Sequence, residues 1–270
     1  MKKLIIIITT IFLSNATFAS PQISKNSKVL FNISKDIKEV SGTVYDSKRN
    51  VIWSIGDSGD GDRSKIAITK MDTWETKVIK IKGAKNIDWE AIAIDRENDL
   101  IYILDVGDNK AVRDIKQIYK INPKDIVDNE ITKFKIIQVR YTPEKLFDVE
   151  AAFIKNNHLY FVEKTIQTSA RIYSIDLSLN LKGIIPALWY GTIGHSPIFI
   201  TDAEVNSITG EIYLLSYLGI SKLKHFDNSA EMTSTPLRIG YWGQIESLCI
   251  DSKDQFIIAR EDGDFFYGKK

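Results

Sequence analysis

The sequence predicts an all-β propeller, and three observations predict it. First, five segments begin alike: "VSGTVYD" at Val40, "WEAIAID" at Trp89, "VEAAFI" at Val149, "DAEVNSITG" at Asp202 and "IESLCID" at Ile245. Second, each runs into a polar turn and then a second apolar run, as in "DRENDL" followed by "IYILDVGD". Alternating β-branched and aromatic residues between turn formers signal strands joined as hairpins. Third, Ser41, Glu90, Glu150, Asp202 and Glu246 recur at intervals of 49, 60, 52 and 44 residues. Four-stranded blades repeat at about 40 to 50 residues.

The elements follow in chain order. "MKKLIIIITTIFLSNATFAS" joins a lysine pair, an apolar run of Leu4 to Leu13 and small residues at Thr17 and Ala19. This is the layout of an export signal, expected over residues 1–19 with cleavage after Ala19. Its apolar run is too short for a membrane span of roughly 20 residues. One domain is then expected over 20–270, in the periplasm or outside the cell. "KVLFNIS" (Lys28 to Ser34) is an extra strand that completes the last blade and closes the ring, which removes free sheet edges. Third strands are expected at "KIAITKM", "QIYKINP", "RIYSIDL" and "GISKLKH", and fourth strands at "TKVIKIKG" and "FKIIQVRY". "NPKDIVDNEITK" (Asn122 to Lys133) reads as a loop insertion. The last unit has only 24 residues after Glu246, enough for two or three strands. Five blades are expected; six are allowed if Ile184 to Phe199 hides a degenerate unit. A β-sandwich would not repeat an acid at the same strand start.

Charge is balanced, with 36 basic and 35 acidic residues, which argues against nucleic acid or an anionic membrane as partner. The one cysteine, Cys249, allows no internal disulfide. It lies in an apolar strand and reads as a small buried hydrophobe. A monomer is expected.

In a propeller the first strand of each blade lines the axis, and the second returns to the same face. Its start and the end of its neighbour therefore meet around one channel mouth. The pairs are Ser41 with Asp57, Glu90 with Asp105, Glu150 with Lys164, Asp202 with Tyr217, and Glu246 with Arg260, at separations of 16, 15, 14, 15 and 14 residues. Converging carboxylates either rise in pKa or take up a cation. A hard cation with oxygen ligands fits, and Ca²⁺ takes six to eight. Asp57, Glu90, Asp105, Glu150, Asp202 and Glu246 are the expected ligands, with Glu204 as an alternative to Asp202. Lys164, Tyr217 and Arg260 form an opposite arc suited to an anionic group on the metal. The competing arrangement is a closed ionic plug, with Lys164 on Glu150 and Arg260 on Glu246.

"SGTVYD", "GDSGDG", "NIDWEAIAID", "YILDVGDN", "DVEAAF" and "IESLCID" resemble the motif series of a group of secreted bacterial β-propellers, loosely allied with phytase-like and esterase-like calcium propellers. The resemblance runs from about Ser41 to Gly263, and the phytase motifs themselves are not evident. It implies an acidic calcium-binding mouth. One expected function is metal-dependent hydrolysis of a phosphoester, or of another ester or lactone. Metal-held water would be the nucleophile, Glu90 or Glu150 the base, and Lys164 and Arg260 the clamps on a small anionic substrate. The other is a non-catalytic module that binds a ligand or protein at the same mouth.

Other motifs carry less. Ser58 in "GDSGDG" lacks a histidine placed for a serine hydrolase. From Asp60 the stretch fails as a calcium loop, with Lys65 for the glycine and Met71 for the glutamate. His158, His195 and His225 have no metal spacing and read as surface or turn residues. Trp53 and Trp89 read as core, although Trp89 could border a pocket.

Overall fold

The computed structural model describes residues 28–57, 64–142, 147–239 and 243–268; the expected export signal and Ser58 and Asp60 lie outside them. Five four-stranded antiparallel blades stand around one axis. Blade 1 comprises Val40–Asp46, Val51–Gly56, Lys65–Lys70 and Thr76–Ile81; blade 2 comprises Trp89–Asp95, Leu100–Asp105, Lys116–Ile121 and Phe134–Thr142. Blade 3 comprises Val149–Lys155, His158–Glu163, Ser169–Asp176 and Ile184–Gly194; blade 4 comprises Ile200–Val205, Ile212–Ser216, Gly219–Lys224 and Thr233–Ile239. Ile184–Gly194 is thus the outer strand of blade 3, which removes the sixth unit. Blade 5 comprises Ile245–Ile250, Phe256–Arg260 and Asp264–Gly268, and takes its fourth strand, Phe31–Asn32, from the start of the chain. Phe31 pairs with Phe265, stacks on its ring at 4.3 Å and stacks on Trp74 of blade 1 at 4.9 Å. The expected insertion holds a short 3₁₀ turn, Pro123–Asp125, and a small hairpin, Ile126–Val127 and Glu130–Ile131, paired to the outer edge of blade 1.

The apolar residues fall into five clusters, and each fills the gap between two neighbouring blades. Ile55 and Ile79 meet Ile92 and Ile103 between blades 1 and 2; Leu104 and Ile118 meet Phe147 and Phe161 between blades 2 and 3. Phe153 and Ile172 meet Leu214 and Phe226 between blades 3 and 4, and Leu215 meets Leu248 between blades 4 and 5. Ile37 and Tyr45 meet Cys249 and Phe265 between blades 5 and 1. Five gaps for five blades is the packing signature of a closed ring. Trp53 and Trp89 are both buried in the cluster between blades 1 and 2, where they pack as core residues.

One irregularity positions everything at the mouth. In all five blades the inner strand bulges one residue after its start, where the pairing skips a position. The skipped residues are Ser41, Glu90, Glu150, Thr201 and Glu246. A bulge frees one residue from the ladder and re-aims its side chain. Asp202 is therefore not the equivalent of Glu90: it pairs with Leu215 and occupies the place that Ala91 and Ala151 occupy. A one-residue change of register sends a side chain to the opposite face.

The second strand shows the same offset. The residues opposite the strand starts are Gly56, Asp105, Glu163, Ser216 and Arg260. The next residue lines the mouth cavity in four blades, as Asp57, Lys164, Tyr217 and Glu261, while Val106 of blade 2 is buried in the cluster between blades 2 and 3. Asp105 and Arg260, expected there, stand one residue before that position, opposite Trp89 and Ile245, and their side chains leave the mouth.

Candidate functional site at the channel mouth

Two of the five bulge side chains are spent on the ring itself. Ser41 Oγ donates to the Trp89 carbonyl at 2.7 Å, and Thr201 Oγ1 donates to the Ile245 carbonyl at 3.0 Å. Each ties a blade to the next. Blades 2, 3 and 5 carry glutamate instead, and Glu90, Glu150 and Glu246 all line one cavity of about 160 Å³. Asp57, Lys164, Tyr217 and Glu261 line it too, with Glu39, Asn109 and Gln244 at its edge. Six carboxylates there face one lysine among the described residues.

The mouth has two unlike walls. On one, Lys164 Nζ ion-pairs with Glu150 Oε1 and sits 5.3 Å above the Tyr217 ring, while Tyr217 OH donates to Glu246 Oε1 at 2.9 Å. The charges of Glu150, Glu246 and Glu90 hold the Lys164 ammonium above its ordinary value against the effect of burial. Burial raises Glu150 to about 8 and Glu246 to about 7, although Lys164 pulls both down. Burial and the Glu246 and Glu150 charges push the Tyr217 phenol far up, so its proton stays on.

On the other wall, one oxygen each from Asp57, Asp88 and Glu90 lie within 4.8 Å of one another. Two oxygens at a calcium ligand distance of about 2.4 Å, on opposite sides of one ion, stand about 4.8 Å apart. Burial, then a hydrogen bond to Asp57 and its charge, raises Asp88 to about 7. Glu90 is 8 % exposed and has no hydrogen-bond or ion-pair partner among the described residues. Burial, then the charges of Glu150, Asp57 and Asp88, pushes it well above the usual carboxylate range.

Local sequence builds this wall. Asn86 Nδ2 donates to the Gly56 carbonyl at 2.9 Å, and Asn86 Oδ1 accepts from the Trp89 N–H at 3.0 Å, which staples the end of blade 1 to the start of blade 2. That staple sets Asp57 beside Asp88. Gly107 leaves room: a Cβ there would stand 2.5 Å from the Asp88 carboxyl and 2.7 Å from Glu90 Cγ. The "N-I-D-W-E" and "D-V-G-D-N" stretches are thus two halves of one support.

Several expected site residues have other work. Asp105 is fully buried and accepts from the Asp88 N–H at 3.0 Å and from Arg113 Nη2 at 2.7 Å, so it carries Asp88 rather than facing the cavity. Asp202 is buried and accepts from its neighbour Ala203 N and from Leu248 N of blade 5, both at 2.7 Å. Glu204, its alternative, lies at the far end of the inner strand, paired with Arg96 at 3.0 Å. Arg260 turns outward to Asp262 and Asp264 and is no clamp. Half of the ionic plug is present, since Lys164 does pair with Glu150.

The residues missed were Asp88, Glu261, Glu39, Asn109 and Gln244. Asp88 and Glu261 were legible in principle: Asp88 is two positions from Glu90, and Glu261 directly follows Arg260, one step past the residue paired with the strand start. His195, in a turn, and His225 are exposed with positive φ, whereas His158 opens the second strand of blade 3, half-buried beside the Tyr160 ring; Cys249 is buried.

No family model and no curated protein matches the chain. Among solved structures, one chain of a crystal structure of a nidogen/laminin complex aligns over 83% of this chain and 72% of its own length, with a TM-score of 0.48 and 12% identity.

Proposed function

We propose that the protein is an exported β-propeller that binds a divalent cation, calcium by its all-oxygen donor set, at the acidic mouth. Glu90 carries this reading. A carboxyl group in a side chain more than nine-tenths buried, without a partner among the described residues and beside two further carboxyls, is held in its neutral form until a cation joins it. Asp57, Asp88 and Glu90 would hold the ion, with Asn109 within the same cavity. The ligand set expected from sequence narrows accordingly: Asp105 and Asp202 drop out, Glu150 and Glu246 stay with Lys164 and Tyr217, and Asp88 enters. Calorimetric titration with Ca²⁺, together with melting in Ca²⁺ and in chelator, tests it. Saturable binding and a raised melting temperature, both weakened in Glu90→Gln, are expected. A wild-type protein indifferent to Ca²⁺ and Mg²⁺ would remove the reading.

Hydrolysis of a small phosphoester, or of another ester or lactone, is the second reading, and the Glu150–Lys164 pair beside the cation wall favours it. A cation there would supply Lewis-acid polarisation of a bound ester. Glu150, raised to about 8, is the carboxylate suited to take up a proton near neutrality. Against it, the expected anion clamp of three groups reduces to Lys164, because Arg260 faces away and Tyr217 OH serves Glu246. The non-catalytic module therefore stands first. Turnover of a generic phosphoester that depends on Ca²⁺ and is lost in Glu150→Gln would reverse that order.

A further inference from the structure

The opposite end of the axis holds a second cavity, about 140 Å³, between the inner-strand ends of blades 2, 3 and 4. Strands of six or seven residues, at about 3.3 Å each, set it roughly 20 Å from the acidic mouth. Its apolar floor includes Ala93, Ala152 and Phe153, where two small residues leave a hollow. Arg96 leaves the blade 2 turn and meets Glu204 of blade 4 at 3.0 Å. That bond uses one guanidinium nitrogen, and among the described residues the other N–H groups of Arg96 have no partner. Glu97 stands exposed at the rim, and Lys155 donates to the Gly210 carbonyl at 2.9 Å. Asp95 is already satisfied by the backbone and side chain of Asn98.

From this arrangement we infer that the far cavity binds a small zwitterion of the α-amino acid class. The carboxylate lies on the open fork of Arg96, the ammonium faces Glu97 and Glu204, and a short apolar side chain covers Ala93 and Ala152. A fixed guanidinium fork suits a carboxylate. A plain anion such as phosphate meets Glu97 and Glu204 as well as Arg96 and is disfavoured by them. The volume lies below the roughly 300–1,000 Å³ of drug-sized sites and selects a metabolite of a few heavy atoms.

Calorimetry with L-valine and L-alanine tests this, with propionate and isobutylamine as the two half-ligands. Saturable heat with an amino acid, at least tenfold tighter than with either half-ligand, is expected. Arg96→Gln should weaken binding tenfold or more. Because that change also strips Glu204 of its partner, Glu97→Gln on the exposed rim is the second variant, with an expected loss of about threefold to tenfold and unchanged melting. Binding should persist in chelator and in Glu90→Gln, which separates it from the mouth. No saturable heat with any amino acid, or propionate binding as tightly as valine, overturns the assignment.

Discussion

The two ends of the channel both begin as acids in the sequence, and they differ in what those acids touch. At the far end, Asp46, Asp95 and Asp251 close the inner strands of blades 1, 2 and 5. Asp46 accepts from the N–H groups of Lys48 and Arg49, from Arg49 Nη1 at 2.7 Å and from Trp53 Nε1 at 3.2 Å. Asp251 accepts from Lys253 N and Gln255 N at 2.8 and 2.9 Å. Asn206 does the same for Ile208 and Thr209 in blade 4. These are side chains that hold their own turns. At the near end, Glu90 has no hydrogen-bond or ion-pair partner among the described residues. The lesson is that an acid count does not make a site; acids that open onto a cavity do, because only they can reach a ligand.

The contrast is sharpest in mutants. Asp46→Ala should cost about 3 kcal/mol, since it strands buried donors including the Trp53 indole and leaves Arg49 short of a partner. Calcium affinity should not change. Denaturant unfolding reads the first and calorimetry the second; a loss below about 1 kcal/mol would erase the distinction between the ends. Glu90→Gln should do the reverse. Without metal its stability should be unchanged, because glutamine keeps the uncharged form that burial already imposes on Glu90. Its calcium affinity should fall at least tenfold, about 1.4 kcal/mol. Gly107→Ala should weaken calcium similarly without touching a ligand, because its methyl displaces Asp88 and Glu90.

pH separates the two ends less sharply but in a defined direction. Asp88, Glu246 and Glu150 titrate at about 7, 7 and 8 when folded, above the ordinary 3.8 to 4.5. Between about pH 4.5 and 8 the folded chain therefore binds more protons than the unfolded one. Their contribution to stability is present at acid pH and lost as pH rises through 7 to 8. Metal-free protein should melt higher at pH 5 than at pH 8, and Ca²⁺ should flatten the difference. Glu204 at the far end, raised to about 7, leaves a smaller residue of the same sign that Ca²⁺ does not abolish. A melting temperature that climbs from pH 5 to 8 in chelator would contradict the buried mouth. The smallest effect is Ser41→Ala: about 1 kcal/mol of stability from one buried hydrogen bond, with calcium binding intact.

What the chain alone determined is the ring. The period of the repeats, the alternation within each hairpin and the spare strand at Lys28 to Ser34 specify five blades and their closure, because strand and turn chemistry is local and repeats five times. Local pattern also placed Glu90, Glu150, Glu246, Asp57, Lys164 and Tyr217 at one mouth. Only the tertiary structure decided the rest. A bulge is one skipped residue, and a side-chain period of two turns that single step into the opposite face. So Thr201 replaced Asp202, Glu261 replaced Arg260, and Asp105 became the prop beneath Asp88. Whether an acid is spent or open depends on donors brought from other blades and loops, such as Leu248 N to Asp202 and Arg113 to Asp105, and no count along the sequence contains those distances.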